Sequence, residues 1–323
     1  MTDQHTTTAS DDASSAVVGG MASDGRPPQA GSEAARSLWS DAWGELRRSP
    51  LFWIASALIV LVVAMAIAPG LFTRVDPYYA DLARARQKPS SQVWFGYDSQ
   101  GYDVYARTIY GARASVVVGL ATTLFTLVVG SFMGLIAAYY GGWVDAVLQR
   151  LGDIFFAFPL LLGGLLFLYT FPNEPGDPFA LMIFKIVLIL GLLGWPQVAR
   201  IMRSSVLQVK PSDYIQAARA LGAGSGRIVF QHILPNAIAP VIVVSTINLG
   251  VYIATEATLS FLGIGLQPPT ISWGIAISDA SGIGLVRSAP YMLIFPSIFL
   301  SITVLAFIML GDAVRDALDP KLR

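Results

Sequence analysis

The 323-residue sequence contains no cysteine. That excludes disulfides, thiolate metal sites and cysteine nucleophiles, and it leaves the redox compartment unread. Only two histidines are present, His5 and His232, too few to build a metal site by themselves. Charge is scarce as well: 13% of residues are Asp, Glu, Lys or Arg, against about 25% in a typical soluble domain. The 21 basic residues balance 21 acidic ones, so there is no basic face for nucleic acid. The Gly-x-x-x-x-Gly-Lys-[Ser/Thr] phosphate loop is missing. The carboxylates are scattered through loops, and no two share a helix face at depth. No enzymatic activity and no bound cofactor are expected for this chain by itself. In place of charge stands apolar surface, 54% of residues with a mean hydropathy of +0.60, which directs the chain to a lipid bilayer. Dividing the length by about 150 to count domains does not apply to a single membrane bundle.

Residues 1–46 differ from the rest. They are rich in Thr, Ser, Ala, Asp and Gly and read as a disordered tail. Its end, Ser37 to Leu46, places Leu38, Trp39, Trp43 and Leu46 on one side of a short interfacial helix. Six later runs approach the roughly 20 apolar residues that a helix needs to cross the hydrocarbon core. They are Leu51–Pro69, Ala114–Tyr140, Ile154–Phe171, Phe179–Val198, Ile233–Thr255 with an extension, and Ala289–Leu310. The first contains Ala64-Met65-Ala66, which mimics a signal-peptidase site. A secretory signal starts within about 15–30 residues of the N-terminus, so this run reads as an uncleaved span. Period-two alternation is absent, and an open sheet does not satisfy its backbone in lipid, so the expected fold is all-α with six transmembrane helices. The expected organisation is a tail at 1–46, a first span and extracytoplasmic segment at 47–112, a core at 113–312 and a C-terminal segment at 313–323. With a cytoplasmic N-terminus, thirteen Lys and Arg fall inside and seven outside, with Lys185 within a span. That bias favours both termini inside.

The loop between the fourth and fifth runs, residues 200–232, is long for a mere connection. Lys210-Pro211-Ser212-Asp213 makes a helix start, with Asp213 as cap and Gln216 three residues on as in a capping box. Gly222 makes a stop. A helix of about nine residues is marginal alone in water, so it must dock on something. Tyr214, Ala217, Ala218 and Leu221 form one low apolar stripe. Two docking surfaces fit, this chain itself or a cytoplasmic partner.

Gln216-Ala217-Ala218, Gly222 and Leu234-Pro235 reproduce the spacing of the EAA loop, the signature of permease subunits of binding-protein-dependent ABC importers. Gln216 stands in place of the usual Glu and His232 in place of the usual Ile. Phe95-Gly96-Tyr97-Asp98, Gly101-Tyr102-Asp103-Val104 (with Tyr102 for the usual Arg) and Ile109-Tyr110-Gly111-Ala112-Arg113 extend the match. So do Tyr140-Gly141-Gly142-Trp143-Val144-Asp145, Ala157-Phe158-Pro159, Glu256 through Gly263, Gln267-Pro268-Pro269, Ser272-Trp273-Gly274 and Gly311-Asp312 through Asp319-Pro320. Over residues 50–323 the chain resembles the second, C-type permease of dipeptide, oligopeptide and nickel importers. The resemblance implies a type I importer fold with a cytoplasmic coupling loop in a prokaryotic inner membrane. It implies a second homologous permease, two ATPases that carry ATP and Mg, and an extracytoplasmic substrate-binding protein as partners. It implies ATPase coupling through Asp213, Tyr214, Gln216, Ala217, Ala218, Arg219, Leu221 and Gly222. Peptide cargo is favoured over nickel, glutathione or another small solute by the resemblance alone. An ion-coupled secondary transporter is the rival of another class; it would need buried ionisable chains and two internal halves.

In the fifth run Ser245, Asn248, Tyr252, Thr255 and Glu256 fall within about a 100° arc. That arc lines a translocation path or glues helices together. Glu256, near the outer end, is expected to be solvated or paired with a base such as Arg287. Lys185 reads as a snorkelling residue or a substrate contact. Gly130-x-x-x-Gly134 permits close helix packing, Gly163-Gly164 bends the third run, and Gly263 to Gly284 reads as a re-entrant or interface-lying segment.

Overall fold

The computed structural model describes residues 38–318. The expectation of disorder for residues 1–37, and the last five residues of the C-terminal segment, lie outside them. The helix read at Ser37 to Leu46 is present as α1 (Leu38–Leu46), so the disorder expected for 1–46 does not extend over these residues. In chain order there follow α2 (Pro50–Ile67), α3 (Val104–Tyr140), α4 (Gly142–Phe156), α5 (Leu160–Thr170), α6 (Phe179–Val209) and α7 (Asp213–Ala220). After these come α8 (Ser225–Arg227), a π-helical turn (Ile228–Ile233), α9 (Leu234–Ala237), α10 (Ala239–Phe261), α11 (Trp273–Ala280), α12 (Ile283–Ser288) and α13 (Tyr291–Leu318). Among the described residues there is no strand, only isolated bridges such as Tyr97 with Asp103 in the long α2–α3 loop.

Among the described residues five helices, α2, α3, α6, α10 and α13, are long and apolar enough to cross a membrane. The expected third span, Ile154–Phe171, is not one helix. The chain bends by 76° between α4 and α5, where Pro159 removes a donor and restricts the residue before it. The pair makes a sixth span only as a broken one. Gly163 and Gly164 are not the bend. They lie within α5, where a side chain at Gly163 would press into Leu193 at 2.5 Å. Two other helices outrun their apolar cores. The 37-residue α3 is about 55 Å long at 1.5 Å per residue and starts at Val104, capped by Asp103 accepting from the Ala106 amide at 2.8 Å. It therefore runs unbroken through the expected division at residue 112. Likewise α6 continues past residue 198 to Val209, so the first ten residues of the expected 200–232 loop are helix.

Glycine sets the seam between α3 and α6. A methyl on Gly134 would collide with the Ala199 carbonyl, and one on Gly130 would come within 2.6 Å of Val198 Cβ and 2.8 Å of the Trp195 carbonyl. From the other side Gly191 takes the Phe125 ring and Gly194 the Tyr252 hydroxyl. Small residues let backbones meet closely where lipid supplies no hydrophobic drive between helices. The same device repeats where Gly311 of α13 receives Ile247 of α10. Around the seam, Val62, Met65, Ile109, Ile253, Trp273 and Phe307 pack as one core, and Leu168, Met182, Ile186, Leu190 and Leu259 as another. Outward-facing Leu120, Leu124, Val128 and Phe132 keep an exposed apolar line along α3.

Charges sit where they satisfy backbone or tie elements. Lys210 Nζ donates to the Ala138 and Tyr139 carbonyls at 3.1 and 2.8 Å, closing the C-terminus of α3 with a cation as the helix dipole favours. Arg113 Nε does the same for α2 through the Ala66 carbonyl at 3.0 Å. Arg203 grips Asp145 with two 2.6 Å bonds, joining α6 to α4. Lys185 snorkels into the α5–α6 hairpin, donating to the Pro172 carbonyl at 2.7 Å and Asp177 at 3.3 Å.

The seam predicts that Gly134→Val costs about 1–3 kcal/mol through overpacking against backbone that cannot yield. The readout is a lower melting temperature of the detergent-solubilised chain. Gly70→Ala, where nothing lies within 4 Å, leaves it unchanged. Asp177 is held below its ordinary value of 3.8, first by the Glu174 amide and then by Lys185. Its contribution to the hairpin is therefore present above that value and is lost as pH falls through the lowered one. Amide-exchange protection of Glu174, Gly176 and Asp177 should hold at pH 5 and drop on acidification below about pH 4, with α6 unaffected.

Candidate functional site

The α7 segment begins with Ser212 at the N-cap position, not Asp213, and no side chain caps it. The expected capping box does not form: the Gln216 amide bonds only to the Ser212 carbonyl, as any helix would. The stop is as the sequence suggests. Gly222 has φ +82°, its amide bonds to the Arg219 carbonyl at 2.9 Å, and the next amide, of Ala223, reaches back to Ala218 at 3.0 Å. That pair of bonds is a Schellman closure, which needs a residue free to take positive φ.

The helix is anchored by a residue the stripe left out. Ile215 is fully buried (0% exposed) and packs in one core with Val198, Met202, Val206, Ile228 and Ile233. It thereby ties α7 to the end of α6 and to the π-helical turn. A sequence signal existed: Ile215 is the strongest apolar residue of the segment, but the alanine stripe beside it was the longer pattern. With Ile215 inside, the stripe is left outward. Tyr214 is 46% and Leu221 88% exposed. Asp213, Gln216, Ala217, Arg219 and Gly222 are exposed or partly so, and Ala218 is half-buried. Both docking surfaces named by the sequence therefore exist on one helix, one already filled by this chain and the other open.

The polar arc of α10 is brought together, and it faces inward. Ser245, Asn248, Tyr252 and Glu256 are buried, and Thr255 is half-buried with its hydroxyl donating to the Val251 carbonyl of its own helix. Asn248 Nδ2 donates to Gln197 Oε1 of α6 at 3.3 Å. Tyr252 lies in the notch left by Gly194, beside Thr126 of α3. The geometry of these contacts is that of interhelical packing within this subunit. Glu256 is neither solvated nor paired with Arg287, which is exposed on α12. It is 0% exposed and accepts from Ser115 Oγ of α3 at 2.9 Å and Ser260 Oγ at 2.8 Å. Ser260, at i+4, was legible in the sequence; Ser115, 141 residues away, was not. The expected re-entrant stretch is α11 and its flanks. Trp273 at its start is fully buried and donates to the Thr108 carbonyl at 2.8 Å.

The described residues thus form a multi-pass helical bundle that mounts a short helix, α7, with one face buried and the other open. Residues 127–323 match the family described as the binding-protein-dependent transport system inner membrane component. Residues 37–89 match the N-terminal transmembrane domain of oligopeptide transport permease C. The chain belongs to this family of multi-pass inner-membrane permeases. It is 38% identical to an oligopeptide transport system permease protein of Bacillus subtilis strain 168, across 90% of this chain and 92% of that one. It is 37% identical to a dipeptide transport system permease protein of Alkalihalophilus pseudofirmus, across 92% and 94%. A glutathione transport system permease protein of Pectobacterium atrosepticum is 36% identical across 90% and 94%. A methionine ABC transporter solved in inward-facing conformations shares the fold at a TM-score of 0.51 and 20% identity, over 65% of this chain and 96% of that one.

Removing the Ile215 anchor should free α7 without disturbing the spans. Ile215→Ala is expected to cost about 2–5 kcal/mol, concentrated in this region. Hydrogen exchange should accelerate across residues 213–233 and stay unchanged in α3. Leu221→Ala should alter neither.

Proposed function

We propose that the chain is one permease subunit of an ATP-driven importer of peptides and that α7 is its coupling helix. The single observation that carries this reading is the two-faced mounting of α7. Ile215 fixes it to the α6 end of the bundle while Tyr214, Ala217 and Leu221 stand open to a partner. A low alanine face admits the wall of a cleft closely, and Arg219 adds a cation at its edge. The sequence has no phosphate loop of its own, so ATP and Mg belong to two ATPase partners. A second permease completes the membrane unit, and an extracytoplasmic binding protein delivers cargo. Both termini and α7 lie on the cytoplasmic side.

In this reading a push on α7 has two exits. Through Ile215 it reaches Met202 and Val206 near the end of α6, and along the chain it passes through the π-helical turn and α9 into α10. Because α6 is locked to α3 through glycine notches and α10 seats Tyr252 in the notch at Gly194, the expected response is a rigid tilt, one of the discrete rearrangements open to packed helices. Path-lining by Ser245 and Thr255, the members of the arc that bond to no other helix, is part of the same proposal, while Asn248, Tyr252 and Glu256 stay committed to the packing. Peptide cargo is supported by relatives whose names specify oligopeptides and dipeptides. Glutathione, itself a peptide, is the second reading, supported by the Pectobacterium relative.

The test is ATP-dependent uptake and subunit recovery from the whole complex. Ala217→Glu places a charged side chain on the low face, away from Ile215. It is expected to abolish recovery of ATPases and to reduce peptide uptake by at least about tenfold, the scale of one lost contact worth roughly 1.4 kcal/mol. The chain should still accumulate in the membrane. Unchanged uptake in that variant contradicts the coupling role.

A further inference from the structure

Two carboxyl-bearing residues are buried among the described residues, Asp103 and Glu256. Asp103 is occupied in capping α3. Glu256 has no comparable local duty, and the coupling route does not use it. Both its oxygens are engaged by hydroxyls: Ser115 of α3 on one and Ser260 on the other, with Ser272 also facing the group. Two of these serines hold something further. Ser260 Oγ accepts from the Leu266 amide at 3.0 Å, fixing the chain as it turns back after α10. Ser272 is the N-cap of α11, its Oγ accepting from the Ile275 amide at 3.3 Å. Around this hub the backbone closes tightly. A methyl on Gly274 would collide with the Ala257 carbonyl and come within 2.8 Å of Ser260 Cβ, and one on Gly265 would meet the Ser260 amide at 2.5 Å. Asn173 Nδ2 donates to the Gly265 carbonyl at 2.9 Å, tying in the α5–α6 hairpin.

Burying a carboxyl costs free energy that an apolar side chain of similar volume would not. What the carboxyl supplies is several acceptor directions at one point, and here they reach different elements. We infer that Glu256 is a positioning residue: it locks the 262–272 loop and α11 onto α3 and α10, so that this cap moves as one body with α10. The inference rests on the coupling reading for its purpose. In that reading α10 is the lever that starts at the α7 end, and the cap is what its other end carries.

The test uses the complete transporter in proteoliposomes. In this cysteine-free chain, Ile275→Cys on buried α11 reports whether the cap is closed, through reaction of the introduced thiol with a water-soluble maleimide. Glu256→Ala is expected to expose that thiol and to lower the maximal uptake rate about tenfold. The half-saturating substrate concentration should stay where it was, with the ATPases still recovered. Glu256→Gln, whose amide offers one acceptor and one donor to rotatable hydroxyls, should restore shielding and bring uptake within about twofold of wild type. Wild-type uptake and shielding in Glu256→Ala overturn the inference. So does a Glu256→Gln variant that loses as much uptake as Glu256→Ala while the thiol at position 275 stays shielded, since that result assigns the carboxyl a chemical role. If Glu256→Ala does not accumulate, Ser115→Ala is read in its place, with exposure of the same thiol supporting the inference and full shielding overturning it. Absence of ATP-driven uptake by the wild-type complex would sink the coupling reading alone, because the labelling assay still decides what Glu256 holds.

Discussion

The close approach of α3 and α6 is the constraint on which the rest of the bundle depends. Gly130 and Gly134 on one helix and Gly191 and Gly194 on the other leave no room for a single methyl without moving backbone or a side chain. In lipid no hydrophobic drive holds such helices together, so contact at backbone distance must supply the attraction. Once α3 and α6 are fused, α10 has a fixed wall to pack on, and Tyr252 fits the notch at Gly194. The end of α6 then becomes a fixed platform, and Ile215 gives α7 a place on it.

That order explains the division between polar residues that bind partners and polar residues that bind the fold. On α10, Asn248 and Glu256 are spent on Gln197, Ser115 and Ser260 inside the subunit. On α6, Arg203 is spent on Asp145. The side chains left facing outward without such duties are apolar along α3 and mixed along α7. The first pattern suits a surface met by lipid or another membrane subunit, and the second one met by a partner in water.

Much of this was legible in the sequence because the strongest signals are local. Scarce charge and long apolar runs place the chain in a membrane, and five spans follow from them directly. Gly222 announces the end of α7 because an αL turn needs it. Where the sequence reading fails, the deciding contact is distant. The third run looks continuous in hydropathy, yet Pro159 breaks it, and its glycines serve Leu193 and Leu259 on other helices instead of bending their own. Residues 200–209 look like loop because they carry Arg200 and Arg203, which pair with Asp153 and Asp145 of α4 and remain helical. Glu256 looks solvated because Ser115, its partner, lies 141 residues earlier. At α7 the alanine stripe is visible, but the anchor is Ile215, whose partners come from α6 and the π-helical turn.

The proposed coupling role puts the open face of α7 against an ATPase. The most direct measurement is site-specific crosslinking in native membranes, with a photoreactive group on a single cysteine introduced in place of Ala217 in a chain that otherwise has none. The account predicts one dominant crosslinked species, a subunit carrying a phosphate loop, formed from position 217 and not from a cysteine in place of buried Ile215. Crosslinking from position 217 only to this same chain or to lipid would contradict it.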